Sequence, residues 1–244
     1  MEDKYRTFAY DYDEFGEINE YLGAEKVFFE KLFSEFGIQS ILDCACGTGQ
    51  HLYILSEMGL DVAGSDYSEA MLEMAEKNLA ARGKELPLQQ CDFRYLEKVY
   101  MEKFDAVVCL TTALPHLHSE TDLITALKSM KARLSDKGLL ILTQGTTHYN
   151  LSLPAIEVVV NREDFSRVFV KEQDDQFQTI HVLDLYHSTK RMESNQYDIV
   201  YKIILDEEYR SLLTNAGFNQ IQIYGDYDRS PYDQKSKRLI VVAR

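Results

Sequence analysis

The apolar positions of the chain alternate between two rhythms. Phe28, Phe29, Leu32, Phe33 and Phe36 recur at helical spacing, and Gly37 follows as a stop. Residues 40–45 (SILDCA) then read as a buried strand, and residues 50–58 as a helix ending at Gly59. A second strand spans 61–66, after which Ser68 is placed to cap a helix whose Met71, Leu72, Ala75 and Leu79 share one face. Gly83 ends that helix. Residues 86–92 and 104–110 give a third and a fourth strand. Ser119 to Asp122 forms a capping-box pattern ahead of a helix bearing Leu123, Ile124, Leu127, Met130 and Leu134, and residues 138–143 make a fifth strand. Repeated strand–helix units imply a mostly parallel sheet covered by helices on both faces.

After Gly145 the rhythm changes. Residues 168–187 and 195–205 are β-rich with polar turns at QDDQ and ESN, and Tyr197, Ile199, Tyr201 and Ile203 alternate as on one covered face of an antiparallel strand. A helix at 206–218 and two closing strands, in 219–228 and 237–244, resume the earlier pattern. The fold expected is a Rossmann-like α/β domain, with a mostly parallel seven-stranded sheet built from 1–144 and 206–244. Residues 1–37 form an N-terminal helical cap, and 145–205 an inserted small antiparallel β lobe.

Composition narrows the function. The 26 Lys+Arg against 40 Asp+Glu give a formal charge of −14, and no basic run offers a phosphate-binding surface, so nucleic acid is not an expected partner. Cys44, Cys46, Cys91 and Cys109 fall in or beside core strands without CxxC spacing. They read as buried hydrophobes in a reducing compartment, and no metal is expected. No window approaches the roughly 20 apolar residues of a membrane span, so a cytoplasmic protein off the membrane, monomeric or homodimeric, is expected.

The chemistry centres on Gly47-Thr48-Gly49 at a strand-to-helix turn. Glycines there let a ligand approach the backbone, and the helix start offers free N–H groups; the same turn also occurs for packing alone. A dinucleotide fingerprint wants a third glycine, and this chain has Gln50, His51 and Leu52 instead. Asp66 closes the next strand, where an acid accepts from ribose hydroxyls. A ribose without a pyrophosphate points to an adenosyl ligand such as S-adenosylmethionine.

The run ILDCACGTGQ, followed by DVAGSDYSEAML, QQCDFRYL, FDAVVCLTTALPHL and LSDKGLLIL, resembles the class I S-adenosylmethionine-dependent methyltransferases over residues 38–143. Among these it is most similar to the small-molecule group of glycine/sarcosine and sugar N-methyltransferases, which also carry an antiparallel lobe after the fifth strand. The resemblance implies a methyl transfer to a small-molecule acceptor at nitrogen or oxygen, with S-adenosylmethionine as cofactor; the alternatives are a non-catalytic S-adenosylmethionine-binding module that docks a partner through the β lobe, or methyl transfer to RNA or protein. It implies that Asp43, Ala45, Cys46, Gly47 and Gly49 surround the methionine part and that Tyr21 stands where a carboxylate ligand would come. Asp66 would hold the ribose, with Tyr67 and Met71 beside the adenosine. Asp92 and Phe93 would meet the adenine, and the backbone of Cys109 and Leu110 the sulfonium.

The acceptor would lie past the fourth strand, against Thr111, Thr112, His116, His148 and Arg167. Alignment of acceptor and methyl supplies much of the acceleration, so no dedicated catalytic group stands out from spacing, and His116, Thr112 and Tyr12 are the candidates. His116 and His118 either serve the acceptor or shape a loop. Arg167 either binds an anionic acceptor or pairs with an acid such as Asp164. Tyr5, Tyr10, Tyr12 and Tyr21 form a lid or pack on the surface. The chain departs from the glycine N-methyltransferase pattern at Thr111-Thr112-Ala113, where that group reads Gly-Asn-Ser, and at Gly145, where it has arginine.

Overall fold

The structure, a computed structural model, describes residues 5–14, 18–187 and 193–244, with 18–22 described as backbone alone. Two 3-10 turns, Phe8–Tyr10 and Tyr12–Glu14, precede α1 (Ile18–Phe36). The α/β core then runs β1 (Ser40–Asp43), α2 (Gln50–Glu57), β2 (Asp61–Asp66), α3 (Glu69–Ala81), β3 (Leu88–Gln90), a 3-10 segment Phe93–Lys98, β4 (Phe104–Cys109), α4 (Glu120–Ala132) and β5 (Leu134–Gln144). A one-turn helix α5 (His148–Leu151) leads into β6 (Ile156–Asn161), β7 (Phe165–Gln173), β8 (Phe177–Tyr186) and β9 (Glu193–Lys202). The chain closes with α6 (Asp206–Asn215), β10 (Ile221–Tyr224) and β11 (Leu239–Ala243).

Seven strands form one sheet in the order β10-β11-β5-β4-β1-β2-β3. β3, β2, β1, β4 and β5 are parallel, and β11 pairs antiparallel with both β5 and β10. Strand β4 shows why the central strands lack polar alternation. Its Ala106 and Val108 belong to the buried cluster with Phe28, Phe29, Leu52 and Leu79 of the α1–α3 layer. Its Val107 and Cys109 belong to the opposite cluster, with Leu127, Met130, Tyr209 and Leu212 of α4 and α6. A strand with helices on both sides buries every side chain, so its apolar run is continuous.

β1 sits between β2 and β4, so the chain order reverses there, and the crevice beyond the carboxyl ends of these strands is where such sheets bind ligands. Two of the helices, α3 and α4, are capped as their sequences foretell. Ser68 accepts from the Met71 N–H and Ser119 from the Asp122 N–H.

The second sheet is an antiparallel meander, β6-β7-β8-β9. It contains one strand more than the sequence reading expected, because β6 is a short edge strand whose Ile156 and Val158 stand exposed and show no inside–outside alternation. The ends of this insertion are tied together by Gln144, which is buried. Its Nε2 donates to the carbonyls of Thr146 and Ile204, both at 2.7 Å, and its Oε1 accepts from Tyr209 at 2.6 Å. The inner face of the meander carries Arg167, Val182 and Asp184, all fully buried, and packs on the N-terminal segment through Phe8, whose ring lies 4.5 Å from that of Tyr197.

Candidate active site

The turn after β1 is held open by its own backbone. Gly47 and Gly49 have φ of +53° and +82°, a region that only glycine enters freely. A Cβ on Gly47 would meet nothing within 4 Å, whereas one on Gly49 would lie 3.1 Å from the Cβ of Ala75. Gly49 thus serves the close approach of the turn to α3, and Gly47 faces open space. Asp66, at the end of β2, braces the same turn: Oδ2 accepts from the Gly47 N–H and Oδ1 from the Ser68 N–H, each at 2.9 Å.

Asp43 is buried, with Oδ1 accepting from the Ala45 N–H at 3.2 Å and Oδ2 without a hydrogen-bond partner among the described residues. Burial raises its carboxyl to about 7, against the pull of His51 and the Ala45 N–H. His51 in turn pairs with Glu25 at 3.1 Å, and Glu25 accepts from Tyr227 at 2.7 Å. Desolvation pulls His51 down, but Glu25 outweighs it and the imidazole ends raised.

At the third strand Asp92 caps the following 3-10 segment and is gripped by Arg94, with contacts of 3.0 Å to Oδ1 and 2.6 Å to Oδ2. Desolvation alone would raise Asp92, yet the Arg94 hydrogen bonds hold it below the usual carboxylate range. The same guanidinium reaches Asp122 at 2.9 Å. Arg94 was missed from sequence; a cation two residues past the acid was the available signal.

Past β4, Thr111 and Thr112 both have positive φ, +52° and +67°. Such strain in threonines costs roughly 1–3 kcal/mol per residue and persists where the surroundings over-determine it. Thr143 does so here, its Oγ1 accepting from the Thr111 N–H at 2.9 Å and its carbonyl from the Thr112 N–H at 2.8 Å. The short turn Leu114–His116 then presents His116, whose Nε2 lies 2.8 Å from the Tyr5 hydroxyl.

These pieces surround a cavity of about 520 Å³, a usual size for a small-molecule site. Ala45, Asp66, Tyr67, Met71, Asp92 and Phe93 line one end, and Tyr5, Tyr12, Thr111, His116, His118 and Val200 the other. Of the N-terminal tyrosines, Tyr5 and Tyr12 line the cavity and Tyr10 is exposed; the side chain of Tyr21 lies outside the described residues. Cys46 and Leu110 turn their side chains into the α1–α3 core, and Cys109 into the opposite one. Val200 comes from the meander, a contact that only long-range strand pairing creates.

Three acceptor-side expectations are corrected. Arg167 does not reach the cavity: it is fully buried and forks onto Asp184, Nε to Oδ1 and Nη2 to Oδ2, both at 2.6 Å. Its acid is Asp184, directly opposite in the β7–β8 register, and not Asp164. His148 sits half-exposed on α5, 3.7 Å from Asp206, outside the cavity lining. Thr112 turns its hydroxyl to accept from the Gly145 N–H at 3.0 Å, because the left-handed backbone aims it at β5 and leaves Thr111 and Ala113 on the cavity. Among the described residues no His, Cys, Asp and Glu cluster could hold a metal, and no helix is long and apolar enough to cross a membrane.

A mostly parallel sheet whose strand order reverses beside an open glycine turn at β1, with an acid closing β2 and a second acid after β3, frames a small-molecule crevice. The family described as "Methyltransferase domain" matches residues 41–138. A glycine/sarcosine N-methyltransferase of Parasynechococcus marenigrum is 34% identical, covering 84% of this chain and 72% of that protein. An S-adenosylmethionine-dependent methyltransferase from Clostridium acetobutylicum superposes with a TM-score of 0.83 at 18% identity, over 98% of each chain. The sugar N-methyltransferase KedS8 from Streptoalloteichus superposes at 0.74 with 24% identity, over 95% of this chain and 91% of that one. The chain belongs to the class I S-adenosylmethionine-dependent methyltransferases, and its cofactor is S-adenosylmethionine.

Proposed function

We propose that this enzyme methylates a small molecule at nitrogen or oxygen, with the cofactor at the Asp66 end of the cavity and the acceptor at the His116 end. The observation that carries this is the cavity itself. It runs from Cys44 and Ala45, just past β1, to Thr111 and His116, with Tyr5, Tyr12 and Val200 of β9 in its wall, and has the size of a small-molecule site.

The residues present fit the cofactor. The buried, unpaired Oδ2 of Asp43 suits its ammonium group, and the open space at Gly47 admits its methionine part. Asp66, which lines the cavity at the end of β2, takes the ribose hydroxyls. Asp92, oriented by Arg94, and Phe93 bound the adenine end. S-adenosylmethionine supplies an electrophilic methyl on a positive sulfur. The chain's own contribution is alignment and the exclusion of water: Thr111, fixed by Thr143, and Tyr12 set the acceptor against that methyl. Residues 145–205 form the acceptor-side lobe, and 1–144 with 206–244 the cofactor domain.

The test is incubation with methyl-labelled cofactor and a fractionated cell extract. Label is expected in the small-molecule fraction, and label confined to protein or RNA would refute the reading.

A further inference from the structure

We infer, resting on the small-molecule reading above, that the acceptor is an amine that carries no carboxylate, received as a cation by the ring faces of Tyr5, Tyr12 and His116. The cavity's charges all have one sign. Among its described lining residues are Asp66, Asp92 and Asp122, and none is lysine or arginine. Two arginines close to the site are already engaged: Arg94 holds Asp92 and Asp122, and Arg167 is sealed against Asp184 with both side chains at 0% exposure. Arg6 lines the adjoining pocket with Tyr67 and Asp92 and is absent from the lining of this one. An acceptor carboxylate would leave water with no lysine or arginine among the described lining residues to pair with it, a costly way to bury a charge.

The acceptor end is instead built of rings. Tyr5 meets Tyr12 edge-on at 6.2 Å and His116 at 5.4 Å, and Tyr201 backs His116 at 4.8 Å. Ring faces attract an ammonium, most strongly where water is excluded, and have no such attraction for an anion. Burial, then the neighbouring phenols, hold Tyr5 well above the ordinary phenol range, so it stays neutral and adds no repelling or pairing charge of its own.

The same groups provide for the proton. The ammonium gives its proton to the Tyr5 oxygen as Tyr5 passes its own to His116 Nε2, 2.8 Å away. The freed nitrogen lone pair forms the N–C bond while the C–S bond breaks, and that bonding pair leaves with sulfur in S-adenosylhomocysteine. The positive charge passes from sulfur to the methylated nitrogen, again facing the rings, and His116 returns its proton to water.

The experiment uses matched pairs that differ by one carboxylate: glycine and methylamine, tyrosine and tyramine, ornithine and putrescine, glucosaminic acid and glucosamine. Binding to the S-adenosylhomocysteine-loaded protein is followed by ligand-observed NMR, and turnover by release of S-adenosylhomocysteine. In each pair that responds, the carboxylate-free member should bind and should exceed its partner at least tenfold in kcat/KM. His118→Arg, which adds a cation at the cavity wall, should shift that ratio toward the carboxylate by tenfold or more. Tyr201→Leu should lower kcat/KM for the amines with cofactor affinity unchanged. The inference is overturned if carboxylates match or exceed their partners, if no amine of any pair binds or reacts, or if hydroxyl compounds alone accept methyl. Loss of S-adenosylmethionine binding in the wild-type protein would instead bring down the reading of the cavity itself.

Discussion

Arg167→Ala separates a structural cation from an acceptor ligand. Arg167 and Asp184 are both at 0% exposure, joined by two contacts of 2.6 Å, and the guanidinium also donates to the Asp11 carbonyl at 2.7 Å. It lies over the Phe8 ring at 5.2 Å and the Phe165 ring at 5.7 Å. Truncation strands Asp184 as an uncompensated buried charge, a loss of about 3–5 kcal/mol. At roughly 2–4 °C per kcal/mol for a chain of this size, the melting temperature should fall by about 6–20 °C. Arg167→Met with Asp184→Leu removes both charges and keeps the volume, so the double variant should recover most of the loss. The assay is a double-mutant cycle by thermal and urea unfolding, with cofactor binding and turnover measured on the same samples. If Arg167→Ala shifts melting by less than about 2 °C while abolishing turnover, the arginine contacts the acceptor and the buried-pair account is wrong.

Three further outcomes follow from the cofactor end. Asp66→Ala should weaken S-adenosylmethionine binding by about 1.5–3 kcal/mol in calorimetry, since a charge-assisted ribose contact and the brace on Gly47 go together; unchanged affinity would remove Asp66 from the site. Gly49→Ala should destabilise by roughly 1–3 kcal/mol in urea unfolding, because its Cβ crowds Ala75 at a φ of +82°, and neutrality there would mean the turn relaxes freely. Asp43, raised by burial to about 7 from an unfolded value near 3.9, holds its proton more tightly when folded. It therefore opposes folding increasingly as pH rises between those values, and no further above about 7. A cofactor ammonium favours the ionised form, so affinity should rise with pH through about 7 and protons should be released on binding just below it. Calorimetry in two buffers of different ionisation enthalpy measures that release, and a value of zero there would detach Asp43 from the ammonium.

The α/β fold was legible because its signals are local. The strands, the glycine turn and the cap at Ser68 each lie within a few residues of what they act on, so spacing reveals them, whereas the brace of Asp66 on Gly47 spans 19 residues. The acceptor half is written in distant pairings. Arg167 finds Asp184 only once β7 and β8 are in register, 17 residues apart, and the nearer Asp164 looked equally good along the chain. Thr112 was misjudged because two consecutive positive φ values rotate it away from the cavity, and nothing about two threonines forecasts a left-handed backbone. β6 escaped because an exposed edge strand has no buried face to impose a period of two.

The short stretch Asp11-Tyr12-Asp13 shows how such pairings join the two halves. Asp11 accepts from the hydroxyls of Tyr186 at 2.9 Å and Tyr197 at 2.6 Å, both on the meander. Asp13 accepts from Thr48 at 2.6 Å and Gln50 at 2.8 Å, beside the glycine turn, and from Asn78 of α3 at 2.7 Å. Two carboxylates of one segment thus grip the meander on one side and the glycine turn with α2 and α3 on the other, and the residue between them, Tyr12, lines the cavity. A charge-assisted bond contributes about 1.5–3 kcal/mol, so these contacts give the segment reason to rest where it does without a large apolar face. They also make the position of Tyr12 depend on the meander and the glycine turn at once. Misplacing a positioning group by about 1 Å can cost a hundredfold in rate. An arrangement that fixes Tyr12 from the meander and the glycine turn together therefore fits an enzyme whose chemistry asks mainly for alignment.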